Sequence, residues 1–159
     1  MLKRTKIVKL LAAETPLPEV LIKGWVRTRR DAKDFSFIEV NDGSCLKNMQ
    51  VIANNTLKNY DDVKKITTGS SLAVRGEMVK SKGGNQKYEV IAKEIEIYSI
   101  APDDFPLQKK KHTDEFLRSI AHLRPRTNKY GAAFRIRSQL AYAIHKFSRL
   151  PLMYFWRYI

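Results

Sequence analysis

Phe35-Ser36-Phe37-Ile38-Glu39-Val40-Asn41-Asp42-Gly43-Ser44 is a strand running into a turn. At the period of two that a strand imposes, Ser36, Ile38 and Val40 share one face, and Phe35, Phe37 and Glu39 share the other. Asn41-Asp42-Gly43-Ser44 supplies residues that bend backbone and hydrogen-bond to it locally. Downstream, residues 48–53 repeat the alternation: Met49, Val51 and Ala53 against Asn48, Gln50 and Ile52. Upstream, Glu-Val-Leu-Ile-Lys-Gly-Trp-Val-Arg-Thr-Arg over 19–29 is rich in β-formers, and Gly24 in its middle predicts a bulge or sharp bend. Pro16 and Pro18 break the chain before it, and residues 5–13 read as a short helix.

Beyond the third strand the texture changes. Residues 60–66 read as one or two helical turns with Gly69 as their stop. Residues 71–79 return to strand, Lys82-Gly83-Gly84-Asn85 makes a tight turn, and 88–98 is a fifth strand. Three strands, a short helix and a two-stranded hairpin are the order of an all-β, five-stranded OB-fold barrel, an architecture whose faces and loops bind oligonucleotides. The expected organisation is an N-terminal helical segment over 1–17, the barrel over 18–100, a basic α-helical hinge over 101–129 and a final helical segment over 130–159. In the hinge, Thr113 caps a helix whose first turn holds Asp114 and Glu115, and Pro125 is expected to end it. From about 130 to 147 a longer helix carries Phe134, Ile136, Leu140, Ile144 and Phe147 at helical spacing, a stripe that reads as a side facing a core or a dimer partner.

Charge narrows the partner. The formal net charge is +14, and residues 105–159 hold 12 of the 30 basic side chains but 2 of the 16 acidic ones. Concentration in one third of the chain points to a polyanion, nucleic acid before a membrane surface. No apolar run approaches the roughly 20 residues that span a bilayer, so no membrane association is expected. Cys45 is the single cysteine, which excludes an intrachain disulfide framework and suits a reducing cytoplasm.

If the aliphatic faces line the barrel, Phe37 and Gln50 point outward beside each other. A ring offers a base a stacking platform, typically worth roughly 1–3 kcal/mol, and an amide both donates to and accepts from a base edge. The alternative is that Phe35 and Phe37 cover a hydrophobic edge near the N-terminal helix. Arg27, Arg29, Arg30 and Lys33 cluster at the end of the first strand, where guanidinium forks suit phosphate oxygens; an ordinary solvated face is the competing reading. Lys109, Lys110 and Lys111 and the hinge arginines Arg124 and Arg126 add phosphate-binding charge. Glu89 lies between Lys87 and Lys93 in an outward register, and from spacing alone a surface ion pair of little worth is the better reading. His112, His122 and His145 have no metal-ligand spacing, no phosphate-cradling glycine loop is present, and no serine, cysteine or histidine arrangement suggests a nucleophile. No catalytic residue and no metal site is expected.

Several strings resemble bacterial-type asparaginyl-tRNA synthetases: Gly24-Trp25-Val26-Arg27-Thr28-Arg29-Arg30-Asp31, the stretch from Phe35 to Ser44, Ala121-His122-Leu123-Arg124-Pro125-Arg126-Thr127-Asn128, and Leu140-Ala141-Tyr142-Ala143-Ile144-His145-Lys146-Phe147. They resemble, in order, two barrel strands, the hinge and the start of a class II catalytic domain. The resemblance implies an enzyme that joins asparagine to its tRNA with ATP and Mg2+, works as a homodimer through its catalytic domain, and grips the anticodon with its OB barrel. It implies a stacking ring at Phe37, a reader of the middle uridine at Gln50, a reader of a flanking base at Glu89, and arginines at Arg29 and Arg30. The pattern departs after Phe147: Pro151 comes too early for the proline of the first class II motif, and an aromatic-dense tail to Ile159 follows. The chain is therefore expected to be truncated at the start of the catalytic domain, to bind tRNA and not to catalyse. A split synthetase subunit and a free-standing single-strand-binding module are the alternatives.

Overall fold

Alternation along the strands decides which side chains are enclosed. In β2 (Phe35–Asn41) Ser36, Ile38 and Val40 are buried, and in β3 (Met49–Asn54) Met49, Val51 and Ala53 are buried, while their neighbours stay half-buried on the outside. β1 (Leu17–Asp31) buries Val20, Ile22 and Val26. β4 (Ser71–Lys80) and β5 (Tyr88–Ser99) supply Leu72, Val74, Met78, Val90 and Ile95 to the same core. The five strands close as β1-β2-β3-β5-β4, with β3 and β5 parallel and the other pairs antiparallel. This is the five-stranded OB barrel that the strand order predicts. The computed structural model describes residues 2–81, 83–84 and 86–155, so the expected turn at Lys82-Gly83-Gly84-Asn85 lies partly outside the described residues.

Two compact units divide the chain, Met1–Lys111 and His112–Ile159. In the first, α1 (Ile7–Leu11) drives Ile7 and Leu10 into the barrel core. Asp42 holds its start: its carboxylate accepts from the backbone N–H of Ile7 at 3.0 Å, and the Ser44 hydroxyl accepts from Val8 N–H at 3.0 Å. α2 (Tyr60–Val63) lies between β3 and β4, burying Tyr60 and Val63. It ends sooner than the expected 60–66, and Gly69 is not its cap. Gly69 sits at φ +94, where the Phe105 ring leaves no room for a Cβ.

The bend expected at Gly24 falls elsewhere. The register of β1 on β2 shifts between Val26 and Thr28, which makes Arg27 the extra residue. Gly24 answers a different demand: a Cβ there would lie 2.6 Å from the Asn41 carbonyl oxygen, so the two backbones approach too closely for a side chain.

The second unit holds α3 (Asp114–Ser119), a 3-10 turn over Arg124–Arg126 and α4 (Asn128–Phe155). Thr113 caps α3 as expected, accepting from Phe116 N–H at 3.2 Å. Pro125 does not end α3, which stops at Ser119; it stands in the 3-10 turn, whose first residues need no N–H donor. Along α4, Ile136, Leu140, Ile144 and Phe147 recur on one stripe and are 58–73% exposed. Phe134, expected on that stripe, is turned away from it by the 3.6-residue period. Among the described residues no helix is long and apolar enough to cross a membrane.

Candidate nucleic-acid interface

The outer face of β2 and β3 carries the expected pair, in a geometry more specific than adjacency. Phe37 stands opposite Ile52, and Gln50 opposite Glu39. Phe37 and Gln50 are therefore diagonal neighbours on one face, and diagonal strand positions lie roughly 7–8 Å apart, within reach of long side chains. Phe35 meets Phe37 edge-on with centroids 4.9 Å apart. Arg30, paired across the strands with Phe37, lays its guanidinium 5.2 Å from that ring's centroid. The ring and the cation form one platform.

Glu89 corrects the expectation most. It is 5% exposed rather than a surface group, and its partners are not Lys87 and Lys93. Its Oε2 accepts from Gln50 Nε2 at 3.2 Å and from the Ser81 hydroxyl at 3.0 Å. The Lys87 ammonium donates instead to the Ala13 carbonyl at 2.9 Å, and Lys93 is exposed. The cause is barrel closure: the parallel β3–β5 pair, in register at Val51 and Val90, brings the preceding Gln50 and Glu89 together. On the other side of Gln50, Glu39 accepts from Asn48 Nδ2 at 3.0 Å. Arg27 lies near it half-buried; desolvation lowers its pKa, and the attraction of Glu39 opposes that lowering.

The basic residues do not act as one set. Arg29 points at α2: its Nη1 donates to the carbonyls of Val63, at 3.3 Å, and Lys64, and its Nη2 lies 3.4 Å from Asp31. These bonds tie the end of β1 to the C-terminus of α2, where the Val63 carbonyl also accepts from Ile66 N–H at 3.2 Å. Arg30 and Lys33 are exposed at the strand end. Lys109, Lys110 and Lys111 are all exposed at the end of the first unit. In the second unit, the guanidinium of Arg124 is 4.6 Å from the centroid of Tyr130 and 5.8 Å from that of Phe134, so aromatic packing engages it. Arg126 is half-buried in the same turn. Among the described residues no group of three or more His, Cys, Asp or Glu could hold a metal ion.

A family model described as tRNA_anti-codon, an OB-fold nucleic acid binding domain, matches residues 20–98. The chain is 56% identical over 149 residues to an asparagine–tRNA ligase of Oleidesulfovibrio alaskensis, covering 93% of this chain and 32% of that protein. It is 53% identical over 156 residues to an asparagine–tRNA ligase of Azobacteroides pseudotrichonymphae, covering 97% of this chain and 34% of that protein. The chain belongs to the asparagine–tRNA ligase family. It spans about a third of the length of the curated relatives it matches. The fold agrees: asparaginyl-tRNA synthetase from Pyrococcus horikoshii, complexed with asparaginyl-adenylate, superposes with a TM-score of 0.79 at 22% identity, covering 92% of this chain and 34% of that one.

Within that family frame, three residues of the interface escaped the sequence reading. Ser81, Glu39 and Asn48 are ordinary polar residues on or beside strands, and no local pattern marks them. Their roles come from partners across strands, as with Ser81 and Glu89. A hairpin register would have found Ser81, since pairing Val79 with Glu89 sets residue 81 on the same face.

Proposed function

We propose that the outer face of β2 and β3 binds the anticodon of asparagine tRNA, as the tRNA-gripping part of an enzyme that joins asparagine to that tRNA with ATP. The observation that carries this is the placement of an aromatic ring and an amide diagonally on one exposed barrel face, in a chain 56% identical to an asparagine–tRNA ligase. Phe37, backed by Arg30, stacks a base. Gln50 reads the edge of the middle base, and Glu89 sits within reach of a neighbouring one. Arg27, Arg30, Lys109, Lys110 and Lys111 attract phosphates, with Arg124 and Arg126 adding positive charge from the second unit. Arg29 serves α2.

The whole protein of this family would use ATP and Mg2+, assemble as a homodimer and work in translation in the cytoplasm. The chemical step would fall to the other two thirds of such a protein. The exposed apolar stripe of α4 favours a part of a larger body, with a split-synthetase subunit as the second form, over a free-standing single-strand-binding module.

Titrating the 159-residue chain with anticodon stem-loops tests the reading. The asparagine stem-loop should bind more tightly than stem-loops of the same length and altered anticodon. Equal affinity for all of them rejects anticodon recognition and leaves non-selective binding of single strands.

A further inference from the structure

Ser81 directly follows β4, and neither its position nor the family resemblance marks it. Its Oγ accepts from the backbone N–H of Gly83 at 3.2 Å. With that lone pair engaged, the hydroxyl proton is directed at Glu89 Oε2, 3.0 Å away. The same oxygen receives Gln50 Nε2 at 3.2 Å. A chain of donors thus runs from Gly83 through Ser81 to Glu89, where the Gln50 amide also arrives.

Chemistry then settles which way the amide faces. A carboxylate only accepts, so Gln50 turns its NH2 group toward Glu89 and its carbonyl oxygen away. An unconstrained glutamine amide can rotate by half a turn and exchange donor for acceptor. Such an amide would match an imino N–H and a bare ring nitrogen equally well. A pinned one cannot.

We propose that Ser81 and Glu89 are positioning residues that lock the Gln50 amide with its carbonyl oxygen toward the bound base, so that the site selects bases with a ring N–H at that point over bases with a ring lone pair. Uridine and guanosine carry such an N–H; cytidine and adenosine carry a lone pair. With a base held on Phe37, a cytidine or adenosine sets two acceptors against each other, which a pinned amide cannot relieve by turning. The inference rests on the reading of Gln50 as facing a base, and it adds the reason for the choice of base.

The test is a ratio: affinity for a stem-loop with uridine at the middle position divided by affinity for the same stem-loop with cytidine there. Both are measured on one sample, so the ratio does not depend on the fraction of protein that is folded. Ser81→Ala should lower the ratio about tenfold, the order expected when one charge-assisted hydrogen bond no longer orients the amide. Glu89→Gln, whose own amide can turn either way, should bring it close to one. Ser81→Thr retains the hydroxyl and should restore the wild-type ratio, which a merely structural serine has no reason to do. A wild-type ratio that survives both Ser81→Ala and Glu89→Gln overturns the lock and leaves anticodon binding standing. A wild-type ratio of one overturns the reading of Gln50 as a base contact, and the lock with it.

Discussion

The side-chain nitrogen of Gln50 lies 3.2 Å from Oε2 of Glu89, although 39 residues separate the two in sequence. The contact exists because β3 and β5 run parallel where the barrel closes. Closing the barrel and building the interface are therefore one event. The enclosed faces of the same strands carry Val51 and Val90 into the core. Apolar packing inside thus holds the polar register outside, and a change that loosens the β3–β5 pair disturbs the Gln50–Glu89 contact before either side chain is touched.

Arg29 separates scaffold from interface. Its guanidinium bonds to α2 carbonyls and to Asp31, and its side chain is 22% exposed. Arg29→Ala should lower unfolding stability by roughly 1 kcal/mol, the net worth of such hydrogen bonds, because Ile66 N–H still meets the Val63 carbonyl and water reaches that of the exposed Lys64. Stem-loop affinity, corrected for the folded fraction, should not change. Denaturant melts and titrations on the same preparation check this; an affinity loss at unchanged stability returns Arg29 to the phosphate-binding set.

Asp42 predicts an acid limb to stability. Burial alone raises its pKa, but hydrogen bonds from Ser44 and Ile7 and the charge of Arg4 outweigh burial and leave it lowered. A carboxylate whose pKa is lower in the folded state stabilises the fold above its unfolded value, near 4, and loses that contribution as pH falls through the folded value. Asp42→Asn should therefore be less stable than wild type at neutral pH, and the difference should shrink below about pH 4. A difference that is constant from neutral to acid pH removes the ionised carboxylate from the account. The loss should appear first as release of α1, whose Ile7 N–H Asp42 accepts.

How far the sequence reveals all this depends on the range of each interaction. Strand faces are local: the period of two places Ser36, Ile38 and Val40 inside, and they are buried. The outward pair Phe37 and Gln50 follows from the same rule. Long-range partners are not local. Glu89 reads as a surface residue between lysines because its hydrogen bonds come from β3 and from beyond the end of β4. The bonds of Arg29 to α2 are equally hidden, because nothing near it in sequence announces the end of that helix, 34 residues on. The displaced bulge has the same origin. A mid-strand glycine signals either a bend or a close approach, and only the position of Asn41 decides between them.

Salt should weaken tRNA binding steeply. Each cation placed on a phosphate releases condensed counterions, so the logarithm of affinity falls linearly with that of salt concentration. Replacing Lys109, Lys110 and Lys111 together by alanine should make that slope shallower by about 2, without altering preference among anticodons. A slope unmoved by the triple substitution would exclude these lysines from the contact.

The chain alone should not carry out asparagine-dependent exchange between ATP and pyrophosphate, nor charge tRNA. The chain spans about a third of the length of the asparagine–tRNA ligases it matches, and the chemical step is expected to fall to the remainder of such a protein. Purified protein, made in a host whose own synthetase is removed by an affinity step, is the sample to assay. Exchange above that background refutes the expectation and requires a nucleotide site within these residues.

Phe37 and Gln50 should fail in different ways. Phe37→Ala removes a stacking surface, so binding of the asparagine stem-loop should weaken by roughly 1–3 kcal/mol. Much of that loss should persist when the stacked base is changed, because every base has a π-face. Gln50→Ala removes hydrogen bonds instead. Its cost should be comparable with uridine at the middle position and far smaller with cytidine, where the wild-type amide is already mismatched. The two side chains are diagonal neighbours on adjacent strands, so their effects should be non-additive in a double-mutant cycle. If both are scaffold residues, losses will track folding stability and ignore the RNA sequence. Variants with unchanged melting, titrated against stem-loops with all four middle bases, separate the cases. Equal losses from Gln50→Ala for every base would take Gln50 out of the recognition site and leave Phe37 and the basic residues as a surface that holds single strands without reading them.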